Sequence, residues 1–288
     1  MAPGTLWGMP RRAVYAMAGA AVAAVLLLIT WYLAFHVSFF REEDAKILSG
    51  FAGLHRPRSA SIASFIAQLC NPNPYVYLCA AVVLVALLRR RPGVALVIVI
   101  VIFGANTTTQ VLKPLLAAPR PPVSGIWAIS PASWPSGHAT AALSLALCAV
   151  LAAPARIRPA VAAVGAVFAV AVSYSFLTLT WHYPSDVFGG FLVATAWTLM
   201  GIAALLVARA RRGIDVGGET PRASLSEALR PAGAALLGAL VLGGLIALAR
   251  PHQVIAYAQN HTAFVVGAAS IGALGLMLAT GVMLALRR

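Results

Sequence analysis

Carboxylates are scarce in this chain. Seven Asp and Glu residues stand against 21 Lys and Arg among 288, and all charged residues together make up only 10%. A water-soluble domain needs far more ionic surface than that, so a soluble globule is excluded. Cysteine is scarce too. Cys70, Cys79 and Cys148 are odd in number and form no CxxC pair, which indicates neither a disulfide framework nor a cysteine zinc site. Cys79 and Cys148 lie inside apolar runs and read as small packing residues. What the chain does have is apolar sequence: 61% hydrophobic residues and a mean hydropathy of +0.88, the composition of a polytopic membrane protein. The net charge of +14 would suggest nucleic acid in a soluble protein. Here the basic residues sit in short clusters between apolar runs, where they act as topology signals, and no nucleic-acid partner is expected.

The first apolar run, about 13–35, is too long for a signal-peptide core and is read as a retained span. Further spans are expected near 75–88, 93–112, 137–153, 159–180, 187–208, 232–249 and 263–286. The second begins earlier, near Ile62, with Asn71-Pro72-Asn73-Pro74 as a break. A helix lying on the membrane surface fits the stretch 41–61, polar on one side and apolar on the other. The expected fold is therefore all-α, a helix bundle of about eight transmembrane helices. It divides into a membrane-embedded core over 1–212, a loop over 213–231 and two additional C-terminal spans over 232–288.

Alternate loops hold 14 basic residues: Arg11, Arg12, Arg89, Arg90, Arg91, Arg156, Arg158, Arg209, Arg211, Arg212, Arg222, Arg230, Arg287 and Arg288. The opposite loops hold 7: Arg41, Lys46, Arg56, Arg58, Lys113, Arg120 and Arg250. The excess of cations in cytoplasmic loops then predicts a multi-pass protein of the cell membrane with both termini in the cytoplasm. All six histidines fall on the periplasmic or extracellular side.

Three short motifs share that side. Lys113 and Arg120 close the third span; alone, a Lys there snorkels, but an ammonium and a guanidinium together suit a phosphoryl group. In Pro135-Ser136-Gly137-His138, Ser136 is a natural N-cap and Gly137 lets the backbone approach a ligand. The free N–H groups of that first helical turn favour an anion, and His138 stands beside them as a proton donor. In His182-Tyr183-Pro184-Ser185-Asp186 the carboxylate is spaced to hold one imidazole nitrogen and leave the other to attack phosphorus.

In this order the motifs resemble the type 2 phosphatidic acid phosphatase family, integral-membrane lipid phosphate phosphatases related to vanadium haloperoxidases. That family's pattern is KxxxxxxRP, PSGH and SRxxxxxHxxxD. Here it reads Lys113–Pro121, Pro135–His138 and Ser175–Asp186. The resemblance implies a six-span phosphatase core. It implies His182 as the nucleophile of a phosphohistidine, Asp186 as its orienting carboxylate and His138 as general acid. Lys113, Arg120, Ser136, Gly137 and Ser175 would be phosphate-binding. It implies no metal and no cofactor, and as partners membrane lipids and a lipid phosphate substrate: a polyprenyl diphosphate, a glycosylated polyprenyl phosphate, phosphatidylglycerophosphate or phosphatidic acid. One position departs from the pattern, since Phe176 stands where the third motif carries Arg. Two alternatives therefore stay open: a lipid phosphotransferase using the same intermediate, and a catalytically weak binding or transport protein on this fold.

Overall fold

The computed structural model describes residues 5–6, 9–120, 123, 126, 129–212 and 224–286. Pro121, Arg222, Arg287, Arg288 and most of the loop expected at 213–231 lie outside the described residues. A two-residue antiparallel ladder, Thr5–Leu6 against Met9–Pro10, precedes the first helix. Eleven helices come after it among the described residues: α1 (Arg11–His36), α2 (Ser38–Ala52), α3 (Pro57–Gln68), α4 (Pro72–Leu88), α5 (Pro92–Leu115), α6 (Gly137–Ala152), α7 (Arg158–Thr178), α8 (Pro184–Arg211), α9 (Leu225–Ala249), α10 (Pro251–Asn260) and α11 (Thr262–Ala285). Proline opens many of them at N1 or N2, where its missing N–H costs nothing and its fixed φ suits the helix.

Six helices are long and apolar enough to cross a membrane: α1, α5, α7, α8, α9 and α11. Helices α3 and α4 meet at 52° across a short break and together make a seventh, and α6 is a shorter apolar helix of 16 residues. The break falls at the expected prolines. The surface helix is shorter than expected: α2 ends at Ala52, and the chain from Pro57 already belongs to the broken span.

Helix α6 is the axis of the bundle. Thirteen of its residues are buried, and α4, α5, α7 and α8 pack around it. Its Ala, Ser, Thr and Leu side chains allow close helix approach, the usual solution where water does not drive helices together. The polar stretch 106–109, in the middle of α5, fastens helices. Asn106 Nδ2 donates to Tyr75 Oη at 3.2 Å, and Tyr75 Oη lies 3.1 Å from Ser144 Oγ. Trp197 Nε1 donates to Thr108 Oγ1 at 3.0 Å, and the Thr109 and Thr140 hydroxyls pair at 3.1 Å. Each such bond stabilises a membrane bundle by about 0.6–2 kcal/mol.

The arginine clusters share one end. Arg12, Arg91, Arg158 and Arg209 line a single cleft there, with Leu286. Arg91 and Arg158 donate to the carbonyls of Leu151 and Ala153 at the C-terminus of α6, where cations are favoured. Helix α11 packs into the bundle against α7, α2 and α8. Helix α9 lies outside, against α7, with Ala228 its one buried residue.

Candidate active site

The three motifs meet at the opposite end, between the N-termini of α6 and α8 and the C-termini of α5 and α7. Their meeting depends on local chain chemistry. Ser136 caps α6 by accepting from Ala139 N–H at 3.3 Å, and its own N–H donates to the Asp186 carbonyl at 2.9 Å, joining the second motif to the third. Gly190 lets α8 come this close: a Cβ there would sit 2.7 Å from the Ser136 carbonyl and 2.9 Å from Thr140 N.

A tight turn ends α7. Thr180, at φ 59°, is left-handed, and the N–H groups of Thr180 and Trp181 return to the carbonyls of Leu177 and Phe176. This turn folds Trp181 and His182 back beside Phe176. Asp186 then sits at N3 of α8 and accepts the Tyr183 N–H at 3.0 Å, closing the first turn.

Asp186 is fully buried and does three jobs. Its Oδ2 accepts from His182 Nδ1 at 3.1 Å as well as from Tyr183 N–H, and its Oδ1 accepts from Arg120 Nη2. A carboxylate can only accept, so Nδ1 of His182 carries the proton and Nε2 keeps its lone pair. His138 lies across from it, ring centroids 6.5 Å apart. The Nε2 of His138 donates to Asn71 Oδ1 at 3.1 Å, so a broken span supplies the residue that orients the second imidazole. Lys113 is half-buried on the last turn of α5. A Cβ on Gly137 would lie 3.8 Å from Lys113 Nζ and 3.6 Å from Gln110 Nε2, so an ammonium and an amide NH2 stand beside the glycine.

Arg120 is built in rather than projecting. Its Nη1 donates to Asp44 Oδ2 and Ser185 Oγ, each at 3.0 Å, and its Nη2 donates to Ser133 Oγ at 3.4 Å besides Asp186. The guanidinium carbon lies 4.4 Å from the centre of the Phe35 ring and 4.2 Å from that of Tyr183. Burial alone would lower its pKa; the carboxylates of Asp186 and Asp44 outweigh that and hold it above the ordinary value. Asp44, on α2, also accepts the Ser185 N–H at 2.9 Å and the Ser185 hydroxyl at 2.6 Å. Burial pushes its carboxyl up to about 6 against the opposing pull of Arg120, which it shares with a second carboxylate.

Sequence reasoning did not single out Asp44, Asn71, Ser133 or Ser185. Asp44 looked like one of three acids on a surface helix, and Asn71 like part of a proline break. Of the expected residues, Lys113, Ser136, Gly137, His138, His182 and Asp186 come together, and Arg120 joins through Asp186. Ser175 turns its hydroxyl back to the Ala171 carbonyl of its own helix, at 2.7 Å. Phe176, at the position of the pattern's Arg, is fully buried, its ring centroid 5.1 Å from His182 and 6.0 Å from His138. Among the described residues no group of three or more His, Cys, Asp or Glu is disposed to hold a metal ion.

No curated protein matches the chain. A solved structure described as the first transmembrane PAP2 type phosphatidylglycerolphosphate phosphatase from Bacillus subtilis shares the fold. It is 22% identical, with a TM-score of 0.55, and the match covers 68% of this chain and 98% of that one. Residues 93–212, which carry all three motifs, match the family model of the PAP2 superfamily. That segment, with its three motifs, is similar to the PAP2 superfamily, to which the type 2 phosphatidic acid phosphatases belong.

Proposed function

We propose that the protein is a membrane lipid phosphate phosphatase working through a phosphohistidine on His182. The observation that carries this reading is the His182–Asp186 pair, with the His138 ring centroid 6.5 Å from that of His182 and Lys113 beside the N-terminus of α6. With Nδ1 held by Asp186, the Nε2 lone pair attacks phosphorus. Lys113 and the N–H groups of the first turn of α6 take up charge on the phosphoryl oxygens as it develops. His138, entering as imidazolium with Nε2–H on Asn71, gives its other ring proton to the departing alcohol oxygen, then takes one from the water that releases phosphate from His182.

The substrate class is argued from placement. A site at the ends of apolar helices admits a headgroup from the side while its tail stays in hydrocarbon. The Bacillus subtilis protein is described as acting on a phosphatidylglycerolphosphate, a lipid of this kind. The charge asymmetry of the loops favours the outer face for the site and the cytoplasm for the arginine-rich end. Single cysteines at Arg56 and Arg90, with the native cysteines replaced, test that orientation: an impermeant maleimide added outside should label the first and spare the second, and the reverse refutes it.

Phosphate release from a panel of lipid phosphates by purified protein tests the activity. His182→Ala should reduce release to background. Release by that variant at the wild-type rate would end the reading.

A further inference from the structure

The charges lining this site are unusually balanced. Four charged side chains are joined to one another or overhang the phosphoryl position: Lys113, Arg120, Asp44 and Asp186. With both carboxylates ionised the four sum to zero, and the proton that His138 gives up in the reaction adds one positive charge, enough for one negative charge on the substrate. The guanidinium is also heavily engaged, giving four hydrogen bonds to protein acceptors and lying between two aromatic rings, with only 6% of its side chain exposed.

Among the described residues, no Lys or Arg besides Lys113 and Arg120 contacts the motif residues. Lys46 is exposed and paired with Glu43 at 2.7 Å, and Arg56, Arg58 and Arg250 are exposed. Arg41, half-buried one turn before Asp44, makes no hydrogen bond or ion pair to the motif residues among the described residues. The loop positions outside the described residues between Arg120 and Ile129 are Pro, Ser, Gly, Trp and Ala, none of them cationic. On the side facing both histidines the wall is the fully buried Phe176 ring, which offers no hydrogen-bond donor.

We propose that the phosphoryl group accepted here carries a single negative charge: a phosphodiester, or a phosphomonoester in its singly protonated form. This rests on the reading of His182 as nucleophile. A dianion would bring a second charge beside one ammonium and two buried carboxylates, and each extra unit of charge is costly where the surroundings are partly desolvated. A monoanion matches Lys113 one to one, and the apolar face of Phe176 suits an esterified oxygen better than a bare anionic one.

For a diester the chemistry balances without a further reactant. The Nε2 lone pair of His182 forms the N–P bond, and one P–O bond breaks with its electron pair on the leaving oxygen. His138 supplies the proton that makes it an alcohol. Water then attacks phosphorus, His138 takes back a proton, and the N–P pair returns to His182, leaving a monoester product.

The test uses the full-length chain in detergent with two substrates that share the same acyl chains: a phosphatidic acid and its methyl diester. The diester keeps one charge at every pH, whereas the monoester gains its second near pH 6–7. The product measured is labelled diacylglycerol. His138, His182, Asp44, Asp186, Lys113 and Tyr183 line or adjoin the site whichever substrate is bound, so the ratio of the two kcat/KM values is read rather than either value alone. From pH 6 to 8.5 the monoester's kcat/KM should fall at least tenfold relative to the diester's, and Phe176→Arg should raise monoester turnover at pH 8.5 at least tenfold. A ratio flat with pH, or turnover of the monoester but not the diester, would overturn the single-charge assignment while leaving the phosphatase reading intact. Turnover of neither substrate, or turnover undiminished in His182→Ala, would overturn both.

Discussion

Replacing Asp186 by Asn keeps the shape of the side chain and removes its charge, at a position where every partner of the carboxylate is known. The carboxylate is fully buried and accepts three hydrogen bonds, from His182 Nδ1, Tyr183 N–H and Arg120. An amide offers one acceptor oxygen in their place. If that oxygen stays with Arg120, the NH2 group faces His182 and forces the proton to Nε2, where it blocks attack. A charge-assisted bond of this kind contributes about 1.5–3 kcal/mol, roughly 10- to 150-fold in rate. Loss of the correct tautomer can raise the effect to about 10⁴. We expect kcat to fall by about 10² to 10⁴ with KM changed little, because the carboxylate serves the reaction rather than lipid binding. Stability should also drop, by less than the ~3–5 kcal/mol of a wholly broken buried pair, since Asp44 still holds Arg120. Steady-state phosphate release, with His182→Ala as the floor, measures the first, and thermal melting in detergent the second. A variant within fivefold of the wild-type kcat would refute the orienting role.

Asn71→Ala removes a neutral hydrogen bond from His138 and should lower kcat by about 2- to 10-fold at constant KM, read from full kinetic curves. The Asp44 carboxyl titrates near 6 in the folded chain against an ordinary 3.8, so the folded state holds an extra proton between those values. Its contribution to stability is full below about pH 4 and is lost as pH rises to about 6, by up to ~3 kcal/mol. The melting-temperature difference between wild type and Asp44→Asn should change across that window and be level above it. Thr180 is a β-branched residue at positive φ, so Thr180→Gly should stabilise by about 1 kcal/mol, seen as a higher melting temperature.

The residues of the proposed site were legible in the sequence because each sits at a helix end with its own signal: a cap at Ser136, a glycine at Gly137, a carboxylate at N3 of α8. The apolar helices were legible from apolar runs, including the break at Asn71, but six of the described helices, or seven with the bent pair, are long and apolar enough to span against the eight expected, because α6 has only 16 residues. What surrounds the reacting groups was not. Asp44 meets Ser185 across 141 residues, and no local pattern marks it, since an acid on a surface helix reads as solvated. Asn71 has the same problem, its role at His138 hidden behind its role as a helix start. Phe176 was visible as a departure from the pattern, but only packing shows its ring wedged beside both imidazoles.

The central claim is that phosphorus becomes bonded to His182. Rapid quenching of the full-length protein with a substrate labelled in its phosphoryl group should trap acid-labile, base-stable label on a single peptide containing His182. His182→Ala should carry none, and Asp186→Asn should accumulate it more slowly. Turnover of labelled substrate with no trapped label at any quench time, or label on the His182→Ala protein, would contradict the account.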